Sequence, residues 1–327
     1  MNPIVSIVIS VYNSESFIED CLRSIPSLWA DKIEVVIVDD CSNDNSLIVI
    51  NKFYGSYPEF NKKIIRLNEN KGVGYAKNQG LVAAQGKYIV FVDSDDVLIP
   101  NDFEILITRL IDCEADLVIG NVITSNQGKE SSDANNYSEE TFNTLSLEKQ
   151  FNEIAKHYRA GMWKNAYRRE FIEGNNLYIN DIRAFEDDEW IPRVVTAAKS
   201  ILYFNITWYI YRKREGSVST SHSFVHDLCR LDVAERIYST AEKTNNKELR
   251  KLFFNKSNWF FRKALRNIHK HTPDNQRRLI NKAENIIYII KTPNTFGNSI
   301  KYLSISLIGL RKYIGFINSL KREQQTR

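Results

Sequence analysis

Residues 88–96 read YIVFVDSDD, an apolar run that ends directly in three carboxylates. A short run of β-branched and aromatic residues without polar alternation is typical of a strand buried on both faces of a parallel sheet. Residues 4–9 and 35–38 have the same character. The three runs predict parallel strands whose carboxyl ends meet at one edge of a sheet, where such folds bind their ligands.

Helical patterns separate these runs. Apolar residues recur at helical spacing from Phe17 to Ile25, and a second helix is predicted from Tyr75 to Gln85, closed by Gly86. The alternation predicts an α/β, Rossmann-like fold with a mostly parallel central sheet flanked by helices. Residues 121–146 are polar and rich in Asn, Ser and Glu, so we expect a loop without a part in the core.

The composition is that of a globular protein. Of the 327 residues, 43% are hydrophobic and 26% charged, which excludes disordered, collagen-like and coiled-coil chains. The best apolar run, 302–310, is bounded by Lys301 and Arg311 and is too short to span a bilayer, which takes roughly 20 residues. The amino terminus lacks a signal-peptide pattern, and the four cysteines lack disulfide or zinc-site spacing. These features predict a cytoplasmic protein.

Charge is distributed unevenly along the chain. Residues 251–327 contain 16 Lys and Arg against three Asp and Glu, and the remainder has 28 against 37. We therefore expect a catalytic domain over 1–216 and a basic, helical C-terminal region over 217–327. Aliphatic residues from Ile300 to Ile317 recur at steps of three and four. Such a stripe indicates a helix that contacts the cytoplasmic membrane face, the core or the second subunit of a homodimer.

The carboxylates of Asp93, Asp95 and Asp96 would repel one another at a strand end unless a cation or hydrogen bonds neutralised them. Carboxylate oxygens suit Mg²⁺ or Mn²⁺ bound jointly with substrate phosphates. The alternative is an acidic turn in which Asp96 caps the following helix. An EF-hand is excluded because Leu98 stands where that loop requires glycine.

Five motifs follow one another in the first 190 residues. They are SIVISVYNSE (6–15), VDDCSNDNS (38–46), NKGVGYAKNQG (70–80), DSDD (93–96) and FEDDEW (185–190). In this order they resemble the inverting glycosyltransferases of family 2, which have the GT-A fold. The segments MWK (162–164) and YRKREGS (211–217) are similar to members that act on bacterial O-antigen, capsule and lipopolysaccharide.

The resemblance implies a site for a UDP-sugar. The residues that would line its base and ribose are Ser10, Tyr12, Asn13 and Glu15. Asp40 would accept a hydrogen bond from the uracil N3–H. Lys77, at a position where many relatives have Arg, would contact the donor as a point charge, without the bidentate grip of a guanidinium.

The resemblance also implies how the leaving diphosphate is neutralised. Asp93 and especially Asp95 would bind the metal ion and Ser94 the donor, and Asp96 would orient its neighbours or contact sugar hydroxyls. Arg212 and Arg214, on a closing loop, would share the charge of the diphosphate.

By register with the family's Glu-Asp motif, Asp187 would be the general base that takes the proton of the acceptor hydroxyl. Glu186 and Glu189 would orient it or hold the acceptor. The alternative is that the acidic run 186–189 is a helix start that complements the helix dipole.

The sequence therefore predicts a metal-dependent, inverting hexosyl- or N-acetylhexosaminyltransferase that uses a UDP-sugar. Its acceptor would be a hydroxyl of a glycan, most simply a lipid-linked oligosaccharide of a bacterial surface polysaccharide. Transfer to polyprenyl phosphate, which needs no strong base, is an alternative, as is a non-catalytic binding protein with a basic tail. No nucleic-acid-binding motif is present, so nucleic acid is not an expected partner.

Overall fold

The computed structural model describes residues 3–126, 129–132, 137–213, 223–266, 268–291 and 312. The chain divides into two compact units, residues 1–218 and 219–327. Within the described ranges, no helix is both long and apolar enough to cross a membrane.

The strands of the first unit form one sheet in the order β3-β2-β1-β4-β8-β6-β9-β5, with β7 paired to β6. Their bounds are β1 Val5–Val11, β2 Ile33–Asp39, β3 Asn61–Arg66, β4 Tyr88–Asp93, β5 Val97–Leu98, β6 Leu117–Asn126, β7 Lys129–Ser132, β8 Asn165–Arg168 and β9 Ile201–Lys213.

Helices flank this sheet and connect its strands. Those described in the first unit are α1 Ile18–Arg23, α2 Ser46–Ser56, α3 Val73–Ala83, α4 Pro100–Ile111, α5 Glu139–Thr144, α6 Leu147–Lys156, α7 Arg169–Gly174 and α8 Glu186–Ala197. Helix α3 starts two residues before the predicted helix and ends three residues short of Gly86.

The half of the sheet formed by β3, β2, β1 and β4 is parallel throughout. Every residue of β1 and β2 is buried, as the continuous apolar runs predict. Val11 pairs with Asp39 and Ser10 with Asp93, so the carboxyl ends of these strands lie side by side. The predicted α/β fold with a parallel central sheet and flanking helices is confirmed.

The other half of the sheet is mixed, and one prediction there is wrong. Strand β8 runs antiparallel to β4 and β6, and β6 runs parallel to β9. The described residues within 121–146 include regular structure and not only a loop: β6 continues to Asn126, β7 pairs back onto it, and α5 follows. Val122 is 2% exposed where β6 pairs with β9, and Phe142 of α5 is fully buried beside Tyr203 of β9. The few apolar residues of this polar segment therefore belong to the core.

The described elements of the second unit are helical, which confirms the predicted C-terminal helical extension. They are α9 Phe224–Lys243, α10 Lys247–Arg266 and α11 Pro273–Asn285. The Ser223 hydroxyl caps α9 and the Thr272 hydroxyl caps α11, each by accepting a backbone N–H bond. The aliphatic stripe predicted from Ile300 to Ile317 lies outside the described residues.

Candidate active site

The glycine-rich turn before α3 is fixed by Asp40, which follows β2. This carboxylate is 2% exposed and accepts N–H bonds from Lys71 and Gly72, each at 2.7 Å. Burial raises the pKa of Asp40 above its ordinary value, and the two backbone hydrogen bonds oppose that shift. Contact with uracil stays a prediction for this residue.

The loop after β1 is tied to the loop after β2 by two of the residues implied to bind the nucleotide. Asn13 Oδ1 accepts from the backbone N–H of Asn43 at 2.9 Å, and Glu15 Oε2 accepts from that of Asn45 at 2.9 Å. Ser10 is nearly buried beside Asp93. The side chains of Asn13 and Glu15 thus shape the loops, whether or not they also contact a nucleotide.

The ring of Tyr12 is 46% exposed at this edge of the sheet. Backbone strain is concentrated here, because Asn13 and Cys41 have φ angles of 50° and 61°. Residues held in the left-handed region cluster at functional sites, where the surrounding structure offsets their cost.

Asp96 is fully buried and joins the acidic turn to β9. It accepts from the Tyr209 hydroxyl at 2.6 Å and from the backbone N–H of Arg212 at 2.7 Å. Burial, reinforced by Asp93 and Asp95, holds the pKa of Asp96 well above its ordinary value. Asp96 does not cap α4, whose N-cap is Ile99, and its role in orienting its neighbours stays a prediction that these two hydrogen bonds favour.

Tyr209 is a site residue that sequence reasoning missed. Its hydroxyl also accepts from the backbone N–H of Asp93 at 3.1 Å. The ring of Trp163 stacks on the rings of Tyr209 and Tyr211, with centroid distances of 5.2 and 5.6 Å. The spacing of the two tyrosines, two residues apart on one strand, is the signal that would have placed both on one face.

The two residues implied to bind a metal flank a buried serine. The Ser94 hydroxyl lies 2.7 Å from that of Ser14, and the side chain of Asp93 is 28% exposed. Among the described residues, no group of three or more His, Cys, Asp and Glu side chains is arranged to hold a metal ion. Two carboxylates suit a Mg²⁺ ion that takes its other ligands from a diphosphate, and metal binding by Asp93 and Asp95 stays a prediction.

Arg212 lies on β9 and not on a loop, contrary to the prediction. Its Nε donates to the carbonyl oxygen of Asp95 at 2.5 Å, and its Nη1 donates to Asp20 at 3.1 Å. Its Nη2 is buried and has no hydrogen-bond partner among the described residues. The Nη2 amino group is thus a buried donor group without a described partner, close to the acidic turn. Arg214 lies outside the described residues.

Lys77 lies between the acidic turn and α8. Its ammonium is 3.0 Å from Asp93 Oδ1, 2.9 Å from Glu186 Oε1 and 3.6 Å from Asp187 Oδ1. Burial opposes the charge of Lys77, but the three carboxylates outweigh it and hold its pKa well above the ordinary value. Contact with the donor, as implied for Lys77, stays a prediction.

Helix α8 begins with four acidic residues, which complement the positive end of its dipole. Phe185, just before them, has a φ of 68°, in the left-handed region. Glu189 is buried against Asn180 and Arg193, with hydrogen bonds of 2.9 and 2.7 Å, so it stabilises the local fold.

Asp187, in the first turn of α8, has the properties of a proton acceptor. Its side chain is 22% exposed, and its Oδ1 is buried without a hydrogen-bond partner among the described residues. Its Oδ2 accepts from the backbone N–H of Met162 at 3.4 Å. Burial raises the pKa of Asp187 to about 8, although Lys77 lowers it. Such a carboxylate can take a proton near neutral pH.

Comparison with known proteins finds similarity to glycosyltransferases. The family model described as glycosyl transferase family 2 matches residues 6–173. The chain is 30% identical over 230 residues to glycosyltransferase GlyG of Streptococcus pneumoniae serotype 4, covering 67% of this chain and 73% of GlyG. It is 28% identical over 225 residues to the succinoglycan biosynthesis protein ExoO of Rhizobium meliloti, covering 66% of this chain and 63% of ExoO. The match therefore spans less than two thirds of ExoO.

Among solved structures, the fold is similar to that of S. aureus TarS 1–349 in complex with UDP-GlcNAc. The TM-score is 0.66 at 23% sequence identity, covering 87% of this chain and 81% of that chain. This likeness confirms the predicted fold.

Proposed function

The chain belongs to glycosyltransferase family 2, and we propose that it transfers a sugar, with inversion, from a UDP-sugar to a hydroxyl group of a glycan. The proposal rests on Oδ1 of Asp187, a buried acceptor atom with no hydrogen-bond partner among the described residues. It lies at the start of α8, and Lys77 separates it from the acidic turn that would hold the donor. A base on the acceptor side and charge compensation on the donor side are what an inverting transfer requires.

The reaction follows from this arrangement. The oxygen of the acceptor hydroxyl forms a bond to the anomeric carbon while the bond from that carbon to the β-phosphate oxygen breaks. The hydroxyl proton passes to Asp187 Oδ1, and the electron pair of the broken bond leaves with UDP. The proton ends on the carboxylate, so charge and atoms balance.

The donor side would be bound by Asp93, Asp95 and Arg212. The Nη2 group of Arg212, which has no hydrogen-bond partner among the described residues, lies beside the acidic turn and suits a phosphate oxygen. A divalent cation bound by Asp93 and Asp95 would supply neutralisation of the diphosphate as its charge develops. Asp96 supports this side indirectly, since it holds Tyr209 and the backbone of Arg212 in place.

Uridine as the donor base is favoured by the TarS complex with UDP-GlcNAc, which has the same fold. A panel assay tests it: the purified protein is incubated with Mn²⁺ and UDP-, GDP- or CDP-sugars, and slow donor hydrolysis and thermal stabilisation are measured. Stabilisation and hydrolysis specific to one UDP-sugar support the proposal. A response to GDP- or CDP-sugars alone contradicts the assignment of the donor.

For the acceptor, we propose a lipid-linked oligosaccharide in bacterial polysaccharide biosynthesis, reached at the inner membrane face. This acceptor is favoured by the similarity to ExoO and by the charge of residues 251–327, which contain 16 basic and three acidic residues. Cosedimentation with anionic liposomes measures the membrane contact, and neutral liposomes are the control. Absence of sedimentation with both would remove the membrane from the proposal but leave the transfer reaction.

A further inference from the structure

One buried ammonium joins the two sides of the candidate site. Lys77 is 2% exposed and belongs to α3, whereas Asp93 ends β4 and Glu186 and Asp187 begin α8. Its nitrogen lies within 3.6 Å of an oxygen of each of these three carboxylates. The donor-side carboxylate and the acceptor-side carboxylate thus share a single counter-ion.

We propose that Lys77 is a positioning residue: it holds Asp93 and Asp187 against one ammonium and thereby fixes where the base stands relative to the donor. The inference rests on the proposed function, because it assigns Lys77 to that reaction. It differs from the donor-binding role that the family resemblance implies for this position.

The distances show how Lys77 would position Asp187 without forming a hydrogen bond to the oxygen that takes the proton. Asp93 and Glu186 are within hydrogen-bond distance of the ammonium, at 3.0 and 2.9 Å, whereas Asp187 Oδ1 is at 3.6 Å. At that distance, attraction between the charges persists in a poorly solvated site, but the oxygen keeps its lone pairs for a proton. The absence of a hydrogen-bond partner for Asp187 Oδ1 among the described residues agrees with this.

Direct phosphate binding by Lys77 fits the geometry less well. An ammonium has three N–H donors, and Asp93 and Glu186 each lie within hydrogen-bond distance of it. The next carboxylate near the ammonium is that of Asp187, at 3.6 Å, and the side chain of Lys77 is buried. A diphosphate would have to displace a carboxylate from Lys77 to reach it.

A double-mutant cycle separates the two roles. We would measure kcat and the KM for the donor for wild type, Lys77→Met, Asp187→Asn and the double variant. The dissociation constant of UDP would be measured in EDTA, so that loss of the contact between Lys77 and Asp93 does not act through a bound cation. If Lys77 acts through the base, Lys77→Met lowers kcat by about two orders of magnitude in wild type but has little further effect in Asp187→Asn. The dissociation constant of UDP then changes by less than about threefold in both backgrounds.

Two outcomes overturn the proposal. Equal losses of kcat in both backgrounds show that Lys77 does not act through Asp187. An equal loss of UDP affinity in both backgrounds shows that Lys77 binds the donor. A wild-type protein that binds and turns over no nucleotide sugar contradicts the proposed function instead.

A crystal structure of Lys77→Met tests the positioning without turnover. The proposal expects the Asp187 carboxylate to leave its place beside the N–H of Met162, and an unmoved carboxylate overturns it. Should Lys77→Met not fold, Lys77→Gln carries the same cycle and structure, because it removes the charge but keeps an amide donor.

Arg168→Met is the control for loss of a partly buried ion pair outside the site. The guanidinium of Arg168 lies 2.5 Å from the buried carboxylate of Asp116. In the sheet, Arg168 of β8 lies opposite Tyr88 of β4, which is at the other end of β4 from Asp93. Arg168→Met should lower the melting temperature while leaving kcat and UDP affinity within about twofold of wild type.

Discussion

Gly74 contacts Ile182 so closely that a β-carbon on Gly74 would lie 2.6 Å from the carbonyl oxygen of Ile182. The neighbour is backbone and cannot rotate away. Gly72, with a φ of 96°, packs on Arg183, whose Cα would lie 3.0 Å from an added β-carbon. The first turn of α3 and the segment before α8 are therefore in direct contact, which brings Lys77 within reach of the carboxylates of α8.

Gly74→Ala should separate these two segments. Overpacking of this kind costs about 1–3 kcal/mol of unfolding free energy, and we expect kcat to fall because Asp187 moves away from Lys77. Urea denaturation and donor hydrolysis measure the two effects. Gly55→Ala is the control, since a β-carbon there meets nothing within 4 Å and should stabilise α2 by roughly 0.5–1 kcal/mol. Unchanged activity in Gly74→Ala would show that this contact does not position the base.

Asp187→Asn should abolish transfer while preserving the donor site. Asn keeps the shape of the side chain but cannot accept a proton, so transfer should fall by roughly two to four orders of magnitude. Titration calorimetry should find UDP affinity unchanged. Weakened UDP binding with intact turnover would instead place Asp187 on the donor side.

Transfer should increase with pH through the pKa of Asp187. The base acts as a carboxylate, and burial raises its pKa to about 8, so only about a tenth is ionised at pH 7. We therefore expect kcat/KM for the acceptor to rise toward a plateau above pH 8. A profile that is flat from pH 6 to 9 would contradict the assignment of Asp187.

The same shift has the opposite sign for stability. Between 3.8 and about 8, the folded protein holds a proton on Asp187 that the unfolded chain has released, so this group makes the unfolding free energy fall as pH rises. Asp187→Asn should remove that contribution, which urea denaturation at pH 5 and pH 8 measures.

The position in the fold of the residues proposed for the donor side was predictable from sequence because they directly follow strand ends. Continuous apolar runs identify β1, β2 and β4 as buried parallel strands, and parallel strands bring the residues after them together. The acidic turn at 93–96 therefore needs only local pattern to be located.

The rest depends on contacts between distant parts of the chain. Lys77 and Glu186 are 109 positions apart, and nothing in the pattern around either residue shows that they pair. The described residues of the polar segment 121–146 likewise include a strand, because β9, some 80 residues later, pairs with β6. Local composition does not report such pairing, so tertiary contacts overrode it.

Asp95→Ala should abolish transfer and remove the stabilisation of the fold by UDP that depends on Mn²⁺. The reason is that Asp95 is proposed as half of a two-carboxylate site, which would hold a cation only jointly with phosphate oxygens. Thermal melting with UDP, with and without Mn²⁺ or EDTA, measures the effect. Normal turnover of the variant in EDTA would refute a metal role for Asp95.

Tyr209→Phe tests whether β9 holds the acidic turn in a form that binds the cation. The hydroxyl donates to the buried Asp96 and accepts from the backbone N–H of Asp93, so its removal should cost about 1–3 kcal/mol of unfolding free energy. Because the turn that carries Asp95 loses this support, affinity for Mn²⁺ and UDP should also fall. Tyr88→Phe is the matched control: its buried hydroxyl donates to two carbonyl oxygens at the far end of β4. That variant should lose similar stability and keep its affinity for Mn²⁺ and UDP. Equal affinities of the two variants for Mn²⁺ and UDP would show that Tyr209 contributes to stability alone.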